Sequence, residues 1–267
     1  MLIPFLHAQV ADEAWSDLMT QGQHEAGSND EAKAEQTFLK AVHEGERFGV
    51  DDWRVGLSLE SLGQVYIMEK RFNDAEITLR RALRILQLAD GDDSNEAANV
   101  NLDLARMMLA NGRPADSIPL ARKTLSVYER VLGPTDLQTA SVVCLIGDSL
   151  RTMKNFIDAE EPLRRCANIR EETGGIQSPE LADALHSLAL TYTAEKKYHL
   201  AEPVFKMTET IREQTLGLTS PVLAQTMEDH AALLHLMGED SEARKLTLLA
   251  DAIRRSDKKA VRYPEKH

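Results

Sequence analysis

From Asp52 onward the chain repeats one pattern of large apolar, small and polar positions. Its clearest copy reads Leu59-Glu60-Ser61-Leu62-Gly63-Gln64-Val65-Tyr66, then Phe72-Asn73-Asp74-Ala75-Glu76. Three columns hold small residues. The first is Gly22, Gly63, Ala105, Gly147, Ala189 and Ala231; the second is Ala34, Ala75, Ser117, Ala159, Ala201 and Ala243. The third, seven residues on, is Ala41, Ala82, Thr124, Cys166, Thr208 and Ala250. A large apolar residue follows the first column by three in Tyr66, Met108, Leu150, Tyr192 and Leu234. Small side chains at fixed sites on two helices let antiparallel neighbours approach closely, and the large residue fills the space between them. The pattern therefore predicts two helices per copy, each of about 16 to 18 residues and about 25 Å long.

Two further columns punctuate the copies. Gly49, Gly91, Gly133, Gly175 and Gly217 stand 42 residues apart, and three residues after each comes Asp52, Ser94, Asp136, Ser178 or Ser220. Glycine can take the left-handed conformation that ends a helix, and Ser or Asp accepts from the orphan N–H groups that begin the next. Each boundary reads as a stop followed by a start. At Ser178-Pro179 and Ser220-Pro221 a proline takes the first helical position, where its missing N–H costs nothing.

This arrangement of Leu-Gly or Leu-Ala, an aromatic, Ala-Glu and Ala resembles the tetratricopeptide repeat. The period of 42, the Leu-Gly before a boundary (Leu132-Gly133-Pro134, Leu216-Gly217) and starts such as Ala159-Glu160-Glu161-Pro162-Leu163 and Ala201-Glu202-Pro203-Val204 are similar to the kinesin light chain type. The resemblance implies an all-α fold, a right-handed α-solenoid of six helix-turn-helix repeats. Their expected bounds are 12–51, 52–93, 94–135, 136–177, 178–219 and 220–255, between an apolar segment at 1–11 and a basic tail at 256–267. The first repeat is degenerate, with Gln23-His24-Glu25 where the apolar filler belongs, as suits an end repeat that meets water on one face.

Composition narrows the partners. A net charge of −12 argues against a nucleic-acid or anionic-membrane surface. Leu2-Ile3-Pro4-Phe5-Leu6 is too short to span a membrane or form a signal core. It reads as a cover for the first repeat, with a remnant of an export signal as the alternative; the expected location is cytoplasmic, or exported on that alternative. Arg254, Arg255, Lys258, Lys259 and Arg262 place cations at a helix C-terminus, where the dipole favours them, or else form a docking tail. Cys144 and Cys166 are too few for a disulfide framework and lack metal-ligand spacing. Cys166 sits in a small-residue column and reads as packing; Cys144 falls near the expected inner face, where a reactive thiol is the other reading.

No catalytic constellation is present in the sequence. His24-Glu25 and His43-Glu44 lack a second histidine at zincin spacing, and there is neither a Gly-rich phosphate loop nor a Gly-x-Ser-x-Gly elbow. No cofactor is expected, and the surface is the functional object.

In tetratricopeptide solenoids the first helix of each repeat lines the concave side, so the resemblance places recognition there. Helical spacing about the Gly/Ala column selects one stripe. It runs Leu57, Glu60, Gln64 and Ile67; Asn99, Leu102, Arg106 and Leu109; Ser141, Cys144, Asp148 and Arg151; Asp183, His186, Leu190 and Thr193; Gln225, Glu228, Ala232 and His235. Mixed polar and apolar groups suit an extended peptide or a helix. Arg106 and Arg151 can clamp a carboxylate, or pair with Asp103 and Asp148 within the wall. Kinesin light chain-type repeats commonly carry paired asparagines just before the Leu-Ala. Here Glu60-Ser61, Leu102-Asp103, Cys144-Leu145, His186-Ser187 and Glu228-Asp229 replace them, so that family's cargo preference does not carry over. The acidic balance of the stripe favours a basic or apolar segment as ligand.

The leading expectation is a non-catalytic adaptor that binds a protein or peptide segment in its groove. A regulatory or sensor subunit taking a small molecule or signalling peptide, and a self-assembling scaffold, are the alternatives. No heptad coiled coil recruits a motor chain.

Overall fold

A computed structural model describes residues 3–262, with side chains described for 12–255. Among the described residues it is built of paired helices and contains no strand. The first unit, Met1–Val131, comprises α1 (Ile3–Gly27), α2 (Glu31–Glu46), α3 (Trp53–Met68), α4 (Phe72–Asp90), α5 (Asn95–Ala110) and α6 (Pro114–Val131). The second, Leu132–His267, comprises α7 (Leu137–Thr152), α8 (Phe156–Ile169), α9 (Pro179–Ala194), α10 (Tyr198–Leu216), α11 (Pro221–Met237) and α12 (Asp240–Arg262). The side chains of the apolar Leu2–Leu6 stretch and of Lys258, Lys259 and Arg262 lie outside the described residues, and with them the cover and tail readings.

The cap column works as its chemistry requires. Asp52 accepts from the Arg54 N–H at 2.9 Å, Ser94 from Ala97 at 3.1 Å, Asp136 from Gln138 at 2.7 Å, Ser178 from Leu181 at 3.2 Å and Ser220 from Val222 at 3.2 Å. The glycine column differs from expectation in one torsion. Gly91, Gly175 and Gly217 have φ of 92°, 85° and 81°, but ψ of 165°, 162° and 164°. This is extended backbone with positive φ, a region open essentially to glycine alone, and not a left-handed helical turn. The left-handed turn lies instead inside each hairpin, at Lys70, Gly112, Lys154, Lys196 and Gly238, with φ between 59° and 83°.

The small columns set how near the paired helices come. Residues of the second and third columns are buried throughout. A Cβ added to Gly63 would stand 2.6 Å from the Leu79 side chain, and one on Gly147 would stand 2.6 Å from Leu163. Opposite Ala105, the position equivalent to Leu79 holds Ala121. The fillers Tyr66, Met108, Leu150, Tyr192 and Leu234 are all buried. In the first repeat, Glu25 holds the filler position and accepts from Thr37 Oγ1 at 2.6 Å and Gln21 Nε2 at 2.8 Å, so the polar substitution is satisfied internally. Trp15 joins the same core, packing edge-on to Trp53 and donating to Ser58 Oγ at 2.9 Å.

The two cysteines correct both readings given them. Cys144 on α7 and Cys166 on α8 form a disulfide with a Cα–Cα separation of 5.3 Å, each sulfur being buried in the fourth repeat. Neither is a free thiol. The small-residue column on the second helix faces the first helix, as Thr124 shows by donating to the Ala98 carbonyl at 3.0 Å, and this brings Cys166 within reach of Cys144. Closing a 22-residue separation, the bridge contributes about 3 kcal/mol by restricting the unfolded chain.

Candidate interaction face of the first helices

Within each unit the first helices of successive repeats touch one another: α1 with α3, α3 with α5, α7 with α9, and α9 with α11. Among the described residues the second helices do not: α2 and α4, α4 and α6, and α8 and α10 make no comparable approach. The first helices thus approach one another more closely than the second helices do, and they carry the stripe selected by helical spacing.

Contacts between neighbouring repeats tie much of this stripe into the wall. Gln64 Nε2 donates to Asp103 Oδ2 at 2.7 Å, and Ser187 Oγ donates to Asp148 Oδ1 at 2.7 Å; both pairs are 39 residues apart. The two pairs occupy equivalent positions, joining the residue after one small column to the residue two before the next. Tyr128 donates to Asn99 Oδ1 at 2.6 Å, and Arg151 Nε reaches Asp148 at 3.4 Å, one of the two roles foreseen for that arginine. His186 Nε2 lies 2.9 Å from Asp229 Oδ2, while buried Arg212 reaches Asp183 at 2.7 Å. Arg254 holds Glu228 through two bonds of 2.6 and 2.7 Å and reaches Gln225 at 3.0 Å, so this cation of the basic end is engaged with α11. His235 pairs with Asp240 at 2.6 Å. Ser141 is bonded to its own helix through the Leu137 carbonyl.

What remains open on this face is a short set. Ile67, Leu109 and Leu190 are half-buried, whereas Leu102 is buried and presents little to a ligand. Arg106 is exposed and makes no hydrogen bond or ion pair among the described residues. Glu60 is half-buried with no bonded cation. Burial, with the charges of Asp103 and Glu96 beside it, pushes its carboxyl up to about 8. Burial also raises Asp103, although the Gln64 hydrogen bond and the Arg106 charge pull the other way. The inner face of the first unit therefore carries two carboxyls short of positive charge next to one unpaired arginine. Asp103, Ser187 and Asp229 escaped the stripe because they point along the wall. The recurring 39-residue offset is the signal that would have found the first two.

With the repeat geometry in place, comparison with known proteins fixes the family. The tetratricopeptide repeat family matches residues 96–172, and a second model of the same repeat matches 181–222. The chain is a tetratricopeptide repeat protein of the kinesin light chain-like type. It is 26% identical over 157 residues to Protein KINESIN LIGHT CHAIN-RELATED 2 of Arabidopsis thaliana, a match covering 57% of this chain and 24% of that protein. It spans 10% or less of two further curated relatives. Among solved structures, BtubC (BKLC) from P. vanneervenii superposes with a TM-score of 0.72 at 20% identity, covering 85% of this chain and 92% of that one. A Rap protein complexed with Competence and Sporulation Factor superposes with a TM-score of 0.57 at 15% identity, covering 91% and 75%. These structures share the solenoid fold with the tetratricopeptide chain.

The state of Glu60 gives a pH dependence of defined sign. Between pH 4.5 and about 8 the folded chain keeps a proton that the unfolded chain has released. Stability therefore falls as pH rises through that window. Glu60→Gln removes this contribution, about 1 to 3 kcal/mol after allowance for solvent access. Urea unfolding at pH 5 and pH 8 should show a larger loss for the wild type than for the variant; equal losses would contradict the assignment.

Proposed function

We propose that this chain is a non-catalytic adaptor whose first-helix face receives a protein or peptide segment with basic and apolar side chains. The repeat fold supports an interaction scaffold in general terms. The observation behind the finer reading is the inner face of the first unit. Glu60 and Asp103 lack a bonded cation, Arg106 lacks a bonded anion, and Ile67 and Leu109 stand beside them on the stripe. A bound segment meets these needs together. Its lysine or arginine pairs with Asp103 and with Glu60, which releases its proton as the cation arrives, a carboxylate or backbone carbonyl takes the Arg106 guanidinium, and its aliphatic groups cover the leucine and isoleucine.

The Rap protein solved with Competence and Sporulation Factor has the same fold, which is compatible with a peptide ligand, although at 15% identity the likeness does not reach individual residues. No described helix is long and apolar enough to cross a membrane. The buried Cys144–Cys166 bridge favours the exported reading over the cytoplasmic one, because disulfides persist in oxidising compartments.

Arg106 offers the cleanest test, being exposed and unpaired. Arg106→Glu should leave the melting temperature within about 2 °C of wild type. It should also reduce capture of the partner from a lysate of the source cells at least about tenfold, read by quantitative mass spectrometry. Undiminished capture by the folded variant would remove the groove from the account.

A further inference from the structure

The turns between repeats treat apolar side chains differently in the two units. Three positions surround each boundary glycine: the residue before it, the residue after it and the first residue of the next helix. Between the first and second repeats these are Phe48, Val50 and Trp53, and the Arg54 guanidinium lies over the Phe48 and Trp53 rings at 4.1 and 4.7 Å. Between the second and third they are Asp90, Asp92 and Asn95. In the second unit the turns keep apolar side chains and leave them open. Leu132 and Leu137, then Ile176, then Leu216 and Leu218 with Val222 in the first turn of α11, are each between 37% and 63% exposed.

These side chains belong to one strip, because the three turns lie side by side. A Cβ added to Gly174 would stand 3.5 Å from the Leu137 side chain, and Thr173 Oγ1 donates to the Thr135 carbonyl at 3.2 Å. Gln177 Nε2 donates to Gln214 Oε1 at 3.3 Å, joining the second turn to the third. Single exposed leucines need no explanation, but a continuous apolar strip marks an interaction site. The open charge beside it is acidic. Glu171 and Glu172 lie in the π turn Arg170–Gly174 that follows α8, and Glu213 lies in the last turn of α10. All three are exposed and make no ion pair among the described residues. The nearby cations are engaged within the chain: Arg165 and Arg170 donate to the Pro134 and Glu180 carbonyls, and buried Arg212 holds Asp183. Carboxylates at a helix C-terminus oppose the helix dipole, so the stability of α8 and α10 does not call for them there.

We propose that this strip docks a basic amphipathic helix of a partner protein. Adjacent turns stand about 10 Å apart, the packing distance of neighbouring helices. Side chains seven residues apart on one face of a helix have the same spacing of about 10 Å. Apolar side chains of the partner at that interval rest on successive turns, while its lysines or arginines meet Glu171, Glu172 and Glu213. The turns present no strand edge for an extended segment to join. A second copy of this chain is disfavoured, since it would set one acidic rim against another. The strip lies in the second unit and does not depend on the first-helix face of the first unit binding a peptide.

The probe is a fluorescein-labelled peptide of leucine and lysine, about 18 residues long, with its leucines at the helical spacing i, i+3, i+4 and i+7. Titrated with the full chain and read by anisotropy, it should bind saturably with a Kd below about 1 mM. Binding should move the Ile176 methyl resonance of a ¹³C-methyl-labelled chain. A scrambled peptide of the same composition, and one with glutamate in place of lysine, should each bind at least about tenfold more weakly. Ile176→Ser with Leu218→Ser changes exposed turn residues and should keep the melting temperature within about 2 °C of wild type. That double variant should lose at least about tenfold in affinity, and so should Glu171→Gln with Glu172→Gln. Arg106→Gln, on the first unit, should bind as the wild type does. No saturable binding, equal binding of the scrambled peptide, undiminished binding by either double variant, or an unmoved Ile176 methyl would each overturn the proposal. Loss of binding in Arg106→Gln would overturn it by moving the peptide to the first unit. A concentration-dependent dimer that Ile176→Ser with Leu218→Ser dissolves would overturn it by giving the strip to a second copy.

Discussion

Everything in this molecule depends on how closely the two helices of a repeat can approach. At Gly63 and Gly147 the second helix presses a leucine to where a Cβ would stand, leaving 2.6 Å between them. The small columns on the second helix are buried to the same degree. That approach fixes the rotation of each first helix, and the rotation decides which residues reach the inner face. The 42-residue period then carries the same geometry from repeat to repeat. A larger side chain at the contact would displace not only its own hairpin but also the stripe that hairpin presents.

The inner face is consequently a wall as well as a surface. Gln64 with Asp103 and Ser187 with Asp148 join successive first helices through side chains that are thereby committed to the wall. What is left over has a definite chemical character in the first unit: carboxyls whose charge is disfavoured by burial, and one arginine without a bonded anion. Such a face is costly when empty and is relieved by a ligand bearing the complementary groups.

Much of this architecture was legible in the sequence because its columns each ask for one property. Cap residues, small contacts and fillers are local demands, and the structure meets them in register. Torsions were harder to read. The boundary glycines were recognised as positions needing positive φ, but residue type alone does not separate extended from left-handed ψ. The left-handed residue inside each hairpin went unnoticed because lysine occupies it at Lys70, Lys154 and Lys196. A count of two cysteines does not by itself disclose the disulfide. Two cysteines on paired helices of one hairpin are neighbours in space, which the column of Cys166 already implied. Satisfaction of the stripe by its own wall was invisible for another reason. Helical spacing tells which residues share a face, but not which side chains on the next repeat will reach across to them.

The claim that close approach governs the register is tested most directly by a double-mutant cycle between Gly63 and Leu79. Gly63→Ala should destabilise the chain by about 1 to 3 kcal/mol through overpacking. Leu79→Ala alone should cost about 2 to 5 kcal/mol, and the double variant, which reproduces the Ala105 and Ala121 combination of the next repeat, should lose less than the sum of the two, a coupling energy of about 1 kcal/mol or more by urea unfolding. Strictly additive effects would mean that the contact does not limit helix approach, and the account of the inner face built on it would fail.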